Sequence, residues 1–101
     1  MLKHIVFIRL KGKDAGANKR EILQKLKSML DALPAAIADI DKMETGLNFS
    51  TRPSAFDLAL TVDLKDEDAL NRYRVHPEHK KVLDYMAGLD METAVVDYFT
   101  D

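Results

Sequence analysis
The stretch FDLALTVDL, residues 56–64, alternates apolar and polar positions with almost no break. Phe56, Leu58, Leu60, Val62 and Leu64 fall on one face of a strand, and Asp57, Ala59, Thr61 and Asp63 on the other. A period of two excludes a helix and demands a sheet with one covered face. A strand cannot bury its apolar face alone, so the rest of the chain must supply strand partners and a cover.

Residues 2–10 provide a second strand. His4, Val6, Ile8 and Leu10 share one face and Ile5 and Phe7 the other, so this strand is expected to be covered on both sides. KGKDAGAN follows as a loop. Asn18 with Glu21 three residues later has the spacing of a capping box. Ile22, Leu23, Leu26, Met29, Leu30 and Leu33 then form a helical stripe, and Pro34 ends it or starts a short further turn through Ala38. A strand is predicted over about Ile40 to Ser50, with Gly46 marking a bulge or a close backbone approach. TRPS is a turn, and the alternating strand runs from Phe56 to Leu64.

Asp66 or Asp68 can cap a helix that runs through Tyr73, and KDEDALNR reads as its solvated start. Pro77 fits the first turn of a further helix, which continues through Val82, Leu83 and Met86 and stops at Gly88. Met29, Met43, Met86 and Met91 read as gap fillers. Thr93 to Phe99 is the last strand. The order β-α-β-β-α-β predicts an α+β, ferredoxin-like antiparallel sheet with helices on one face, as one domain over residues 1–101. The opposite face carries apolar side chains, and a bare patch of that size calls for a partner. A second copy packed sheet to sheet is expected to close a dimeric α/β barrel with a cavity between the sheets.

Composition narrows the function. Basic and acidic residues are interspersed and the net charge is −2, so no basic stripe points to nucleic acid. Absence of cysteine excludes disulfides and thiolate chemistry and fits a cytoplasmic setting. The apolar N-terminus is interrupted by His4 and Arg9, too early for a membrane span or secretory core. Chemistry concentrates in YRVHPEHKKV, residues 73–82. His76 and His79 could share a helix face with Asp97 nearby as a zinc site, but Pro77 disturbs that turn and zinc wants three or four firm ligands. No metal or other cofactor is expected. Structural roles also fit these residues: His76 as a helix cap, Tyr73 as a core side chain and His4 as a pocket-wall histidine.

MLKHIVFIRL, GLNFS, FDLALTVDL, ALNRYRVHPEHKKV and VVDYF, in that order, resemble the stress-responsive A/B barrel (Dabb) family. The resemblance spans essentially the whole chain, and Y-x-x-H-P-x-H with a late V-V-D-Y is its most specific part. It implies a homodimeric α+β barrel. One branch of similar sequence holds plant polyketide cyclases of the olivetolic acid cyclase kind, which perform intramolecular aldol condensation. By that comparison Tyr73 and His79 match the catalytic tyrosine and histidine, and Asp97 the carboxylate that orients the histidine. His4 matches a further pocket histidine. Leu58 stands where the cyclase has another histidine, and Ile37 where it has a lysine.

The resemblance therefore implies a candidate catalytic set of Tyr73, His79 and Asp97, with Asp97 bonded to His79. If that bond exists, it could equally serve only to tie a helix to the last strand. His4, Val6, Ile8, Leu58, Leu60, Val62 and His76 are the expected ligand-binding residues, forming an apolar wall without arginine or lysine. Three functions follow: a barrel dimer that binds an apolar small molecule, a cyclase or lyase, and a cofactor-free monooxygenase like those of related barrels.

Overall fold
The computed structural model describes residues 1–100. Four strands, β1 (Leu2–Leu10), β2 (Ile40–Leu47), β3 (Leu58–Leu64) and β4 (Met91–Phe99), form one antiparallel sheet in the order β2-β3-β1-β4. That is the ferredoxin-like arrangement. The helices are α1 (Lys19–Asp31), the single turn α2 (Leu33–Ala36), α3 (Glu67–Val75) and α4 (Pro77–Ala87). A short 3-10 turn, Gly12–Ala15, lies in the first loop.

Register assigns the two faces. Ile8 pairs with Leu58 and Thr93, and His4 with Val62 and Asp97. Even positions of β1 and β3 therefore share a face with odd positions of β4, and that face meets the helices. Leu26 and Leu30 of α1, Leu33 of α2, Leu70 of α3 and Val82 of α4 join Leu58, Leu60, Val62 and Leu64 in one core. Each fully buried leucine contributes roughly 1.5–3 kcal/mol, so this layer holds the fold. The other face carries Ile5, Phe7, Ala59, Ala94, Val96 and Tyr98, with no helix over it.

Four local expectations are corrected. Asn18 precedes α1 with φ −93° and ψ 3°, and its side chain makes no cap; only its carbonyl oxygen engages, accepting from the Ile22 N–H. Such a turn-like backbone does not present the side chain to the first helical N–H groups. The bulge lies between Ile40 and Lys42, and nothing comes within 4 Å of a Cβ built on Gly46. β2 ends at Leu47 rather than Ser50, because Asn48 and Ser50 bond locally: Asn48 Oδ1 accepts from the Ser50 N–H at 3.0 Å and Ser50 Oγ from the Arg52 N–H at 3.2 Å.

The fourth concerns the start of β3. Its ladder begins at Leu58, and Asp57 is turned inward. Only 7% exposed, Asp57 accepts the Leu10 N–H at 2.7 Å and pairs with Lys19 at 2.9 Å. Phe56 leaves the helix-facing stripe for the open side, beneath the Arg9 guanidinium at 4.2 Å. Of the two candidate caps of α3, Asp66 and Asp68, Asp66 takes the place, and its carboxylate accepts the Ala69 N–H.

Candidate functional site
The break between α3 and α4 builds the site. His76 precedes Pro77, and the proline ring forces it into an extended conformation, φ −62° and ψ 137°. One helix ends and the next begins. His76 Nδ1 accepts the Glu78 N–H at 3.1 Å, so His76 caps α4 and does not line the cavity. Its expected ligand-binding place is thus corrected, because capping turns the ring to its own backbone. The break also lets Tyr73 and His79 face each other, with ring centroids 4.4 Å apart.

A cavity of about 710 Å³ opens between the sheet and the helix layer of one protomer. It lies on the helix side, where the α3–α4 break leaves room, and is a different cavity from the one expected between the sheets of two copies. His4, Val6, Ile8 and Leu60 line it as expected, with Tyr73 and His79 opposite. Leu58 and Val62 do not. Val62 is wholly buried under the helices, and Leu58 borders a different cavity on the open side. Ile37 is also wholly buried in the core and absent from the wall.

Asp97 bonds His4, not His79, with Nδ1 and Oδ1 2.5 Å apart. The two residues are direct cross-strand partners, so the carboxylate reaches the neighbouring strand's imidazole first. His79 instead donates its Nδ1–H to the Arg74 carbonyl oxygen at 3.1 Å. A carbonyl can only accept, so Nδ1 carries the proton and Nε2 is the bare nitrogen of the neutral ring. The tyrosine ring stands between the two histidines, 6.0 Å from His4 and edge-on to it. Tyr73 is fully buried, and among the described residues its hydroxyl has no hydrogen-bond partner.

Burial pushes the Tyr73 phenol up to about 12, so it stays a proton donor. Burial pushes His79 below its ordinary value of 6.5, against the opposing pull of the Arg74 carbonyl. The unfolded chain therefore takes up this proton at a higher pH than the folded protein does. As pH falls through about 6.5 the unfolded state binds more protons and folding weakens, until the folded pKa is passed. Urea unfolding from about pH 8 to 5 should show a steeper loss in wild type than in His79→Gln. Equal slopes would mean that His79 titrates alike in both states.

Asn71, Arg74, Val75, Leu83, Met86, Thr93 and Val95 also line the cavity, though sequence reasoning did not place them there. Thr93 and Val95 could have been found, since they continue the face of Asp97 at a period of two. Met86 is wall rather than filler. Arg74 puts a guanidinium residue in a wall expected to have none. No cluster of three or more His, Asp or Glu side chains suited to a metal occurs among the described residues. No helix among them is long and apolar enough to cross a membrane.

Comparison with known proteins bears on the family and the fold. A family model described as "Stress responsive A/B Barrel Domain" matches residues 2–100. An uncharacterized protein of Streptomyces coelicolor is 34% identical over 80 residues, covering 79% of this chain and 80% of the relative. A dimeric protein of unknown function with a ferredoxin-like fold, from Bacteroides fragilis, is 31% identical. It covers 98% of this chain and 95% of its own, with a TM-score of 0.88. A dimeric ferredoxin-like protein of unknown function from Thermobifida fusca is 23% identical, with a TM-score of 0.83 over 98% of this chain and 90% of its own.

Proposed function
The chain belongs to the stress responsive A/B barrel domain family, and we propose that it works as a homodimer that takes up a mainly apolar small molecule bearing one carbonyl or hydroxyl oxygen. The observation that carries this is the Tyr73 hydroxyl, buried at the cavity without a protein partner. A buried donor left unpaired is costly, and an acceptor oxygen of a ligand would satisfy it. Val6, Ile8, Leu60, Val82 and Met86 supply the apolar contact that such a molecule needs. The homodimer is supported by the dimeric relatives and by the uncovered apolar sheet face.

A thermal-shift screen tests the ligand class. A ligand at about 100 times its dissociation constant adds ~2.7 kcal/mol, and at ~4–8 °C per kcal/mol for a domain of this size the melt should rise by about 10 °C or more. Apolar ketones and phenols should produce the rise. Nucleotides and sugar phosphates should not, since Arg74 alone cannot pair several desolvated phosphate charges. The reverse pattern would remove the proposal.

A second reading, an enzyme of the cyclase or lyase kind, is favoured by the tautomer of His79. Its Nε2 is free to remove a proton next to a carbonyl, while Tyr73 donates to that oxygen as the enolate forms. In this chain Asp97 would act through His4 and not through His79. Turnover of a ketone found in the screen, lost in His79→Gln, would favour the enzyme over the binding protein.

A further inference from the structure
Phe49, in the loop between β2 and β3, is 97% exposed. Beside it, at one end of the sheet face that the helices leave bare, lies a second cavity of about 570 Å³. Phe7, Leu47, Phe56 and Ala59 wall it, Phe49 itself stands on its rim, and Gly46 leaves its floor open, since nothing lies within 4 Å of where a Cβ would be. The wall is braced. Phe56 sits 6.1 Å from Phe7 by ring centroids and under the Arg9 guanidinium. An aromatic ring left 97% exposed on the rim of an apolar hollow is the kind of surface that a partner covers.

We propose that Phe49 of each protomer fills the Gly46 hollow of its partner, so that two copies are clasped reciprocally through this corner of the open face. The proposal rests on the homodimer reading and names its surface. Three observations favour a second copy over any other occupant. Projection and hollow adjoin on one surface, as a two-fold contact requires, because each copy must present both. Charge on the same face is self-complementary: Lys3 and Lys42 are matched in number by Glu44 and Asp63. Lys3 already pairs with Asp63 at 2.7 Å, while Lys42 and Glu44 have no ion-pair partner among the described residues and are left to pair across the axis. Finally, the 31% identical relative that covers 98% of this chain is dimeric.

Sedimentation equilibrium of wild type, Phe49→Ser and Gly46→Leu decides it. Phe49 touches too little of its own protomer for Phe49→Ser to unfold it, and circular dichroism checks that Gly46→Leu keeps its strand. Wild type should be a dimer, and each variant should dimerise at least about a hundredfold more weakly, the loss expected when a buried anchor is removed or its hollow filled. A monomeric wild type overturns the homodimer reading itself. A dimeric wild type with both variants unchanged overturns only the clasp and places the interface elsewhere.

Discussion

Tyr73→Phe is expected to make the protein more stable and a worse binder at once. The tyrosine is fully buried, and among the described residues nothing bonds its hydroxyl. A buried polar group without a partner costs about 1–3 kcal/mol. Phenylalanine keeps the ring and its packing against His79 and His4, so no larger void is left to offset the gain. At ~4–8 °C per kcal/mol the melting temperature should rise by at least about 4 °C. Affinity for the best apolar ketone or phenol should fall roughly 5- to 100-fold, since the ligand oxygen would then be buried unpaired. Calorimetry reads both changes on the same two proteins. A fall in melting temperature would mean that the hydroxyl is satisfied in the free protein and is not held for a ligand. Because burial keeps the phenol protonated to about 12, both effects should be the same at neutral and mildly alkaline pH. Opposite signs in stability and binding are the mark of a residue kept for function, which a structural core tyrosine would not show.

The architecture was legible because it is written in local periods. The alternation of residues 58–64 and the two-sided apolar character of residues 4–10 identify strands from neighbours alone, and the sheet order follows from the element order. What failed depends on contacts between distant residues. Asp97 had two imidazoles to choose from, and only the β1–β4 register, across 93 positions of sequence, sets it against His4. Phe56 continued the alternation in sequence, yet the Leu10 N–H and Lys19 draw Asp57 inward and the ladder starts two residues later, at Leu58. Proline placed the α3–α4 break correctly, because its effect on the preceding residue is local. The volume which that break opens on the helix side depends on how α1, α3 and α4 sit over the sheet. No stretch of sequence states that, so this helix-side cavity was not foreseen.

Ile37→Lys should largely unfold the protein, although the cyclase has a pocket lysine at the matching position. Ile37 follows α2, where its N–H donates to the Leu33 carbonyl at 2.9 Å and its own carbonyl accepts from Ile40 at 3.2 Å. Its side chain is wholly buried in the core and takes no part in the cavity wall. Removing the isoleucine forfeits about 2–5 kcal/mol of packing. A lysine ammonium in its place would need either a partner or a route to water, and an unpaired buried charge costs several kcal/mol more. Together these match most of the ~5–15 kcal/mol that holds an ordinary domain. Leu83→Lys provides the contrast. Leu83 stands on the cavity rim, 43% exposed, where a lysine stem can lie along the apolar wall with its charge in water. Circular dichroism melts of the two variants should therefore separate widely, with Leu83→Lys near wild type and Ile37→Lys without a cooperative transition at room temperature. If Ile37→Lys melts within a few degrees of wild type, position 37 reaches the cavity. The site would then be closer to that of the cyclases than the packing of this core allows.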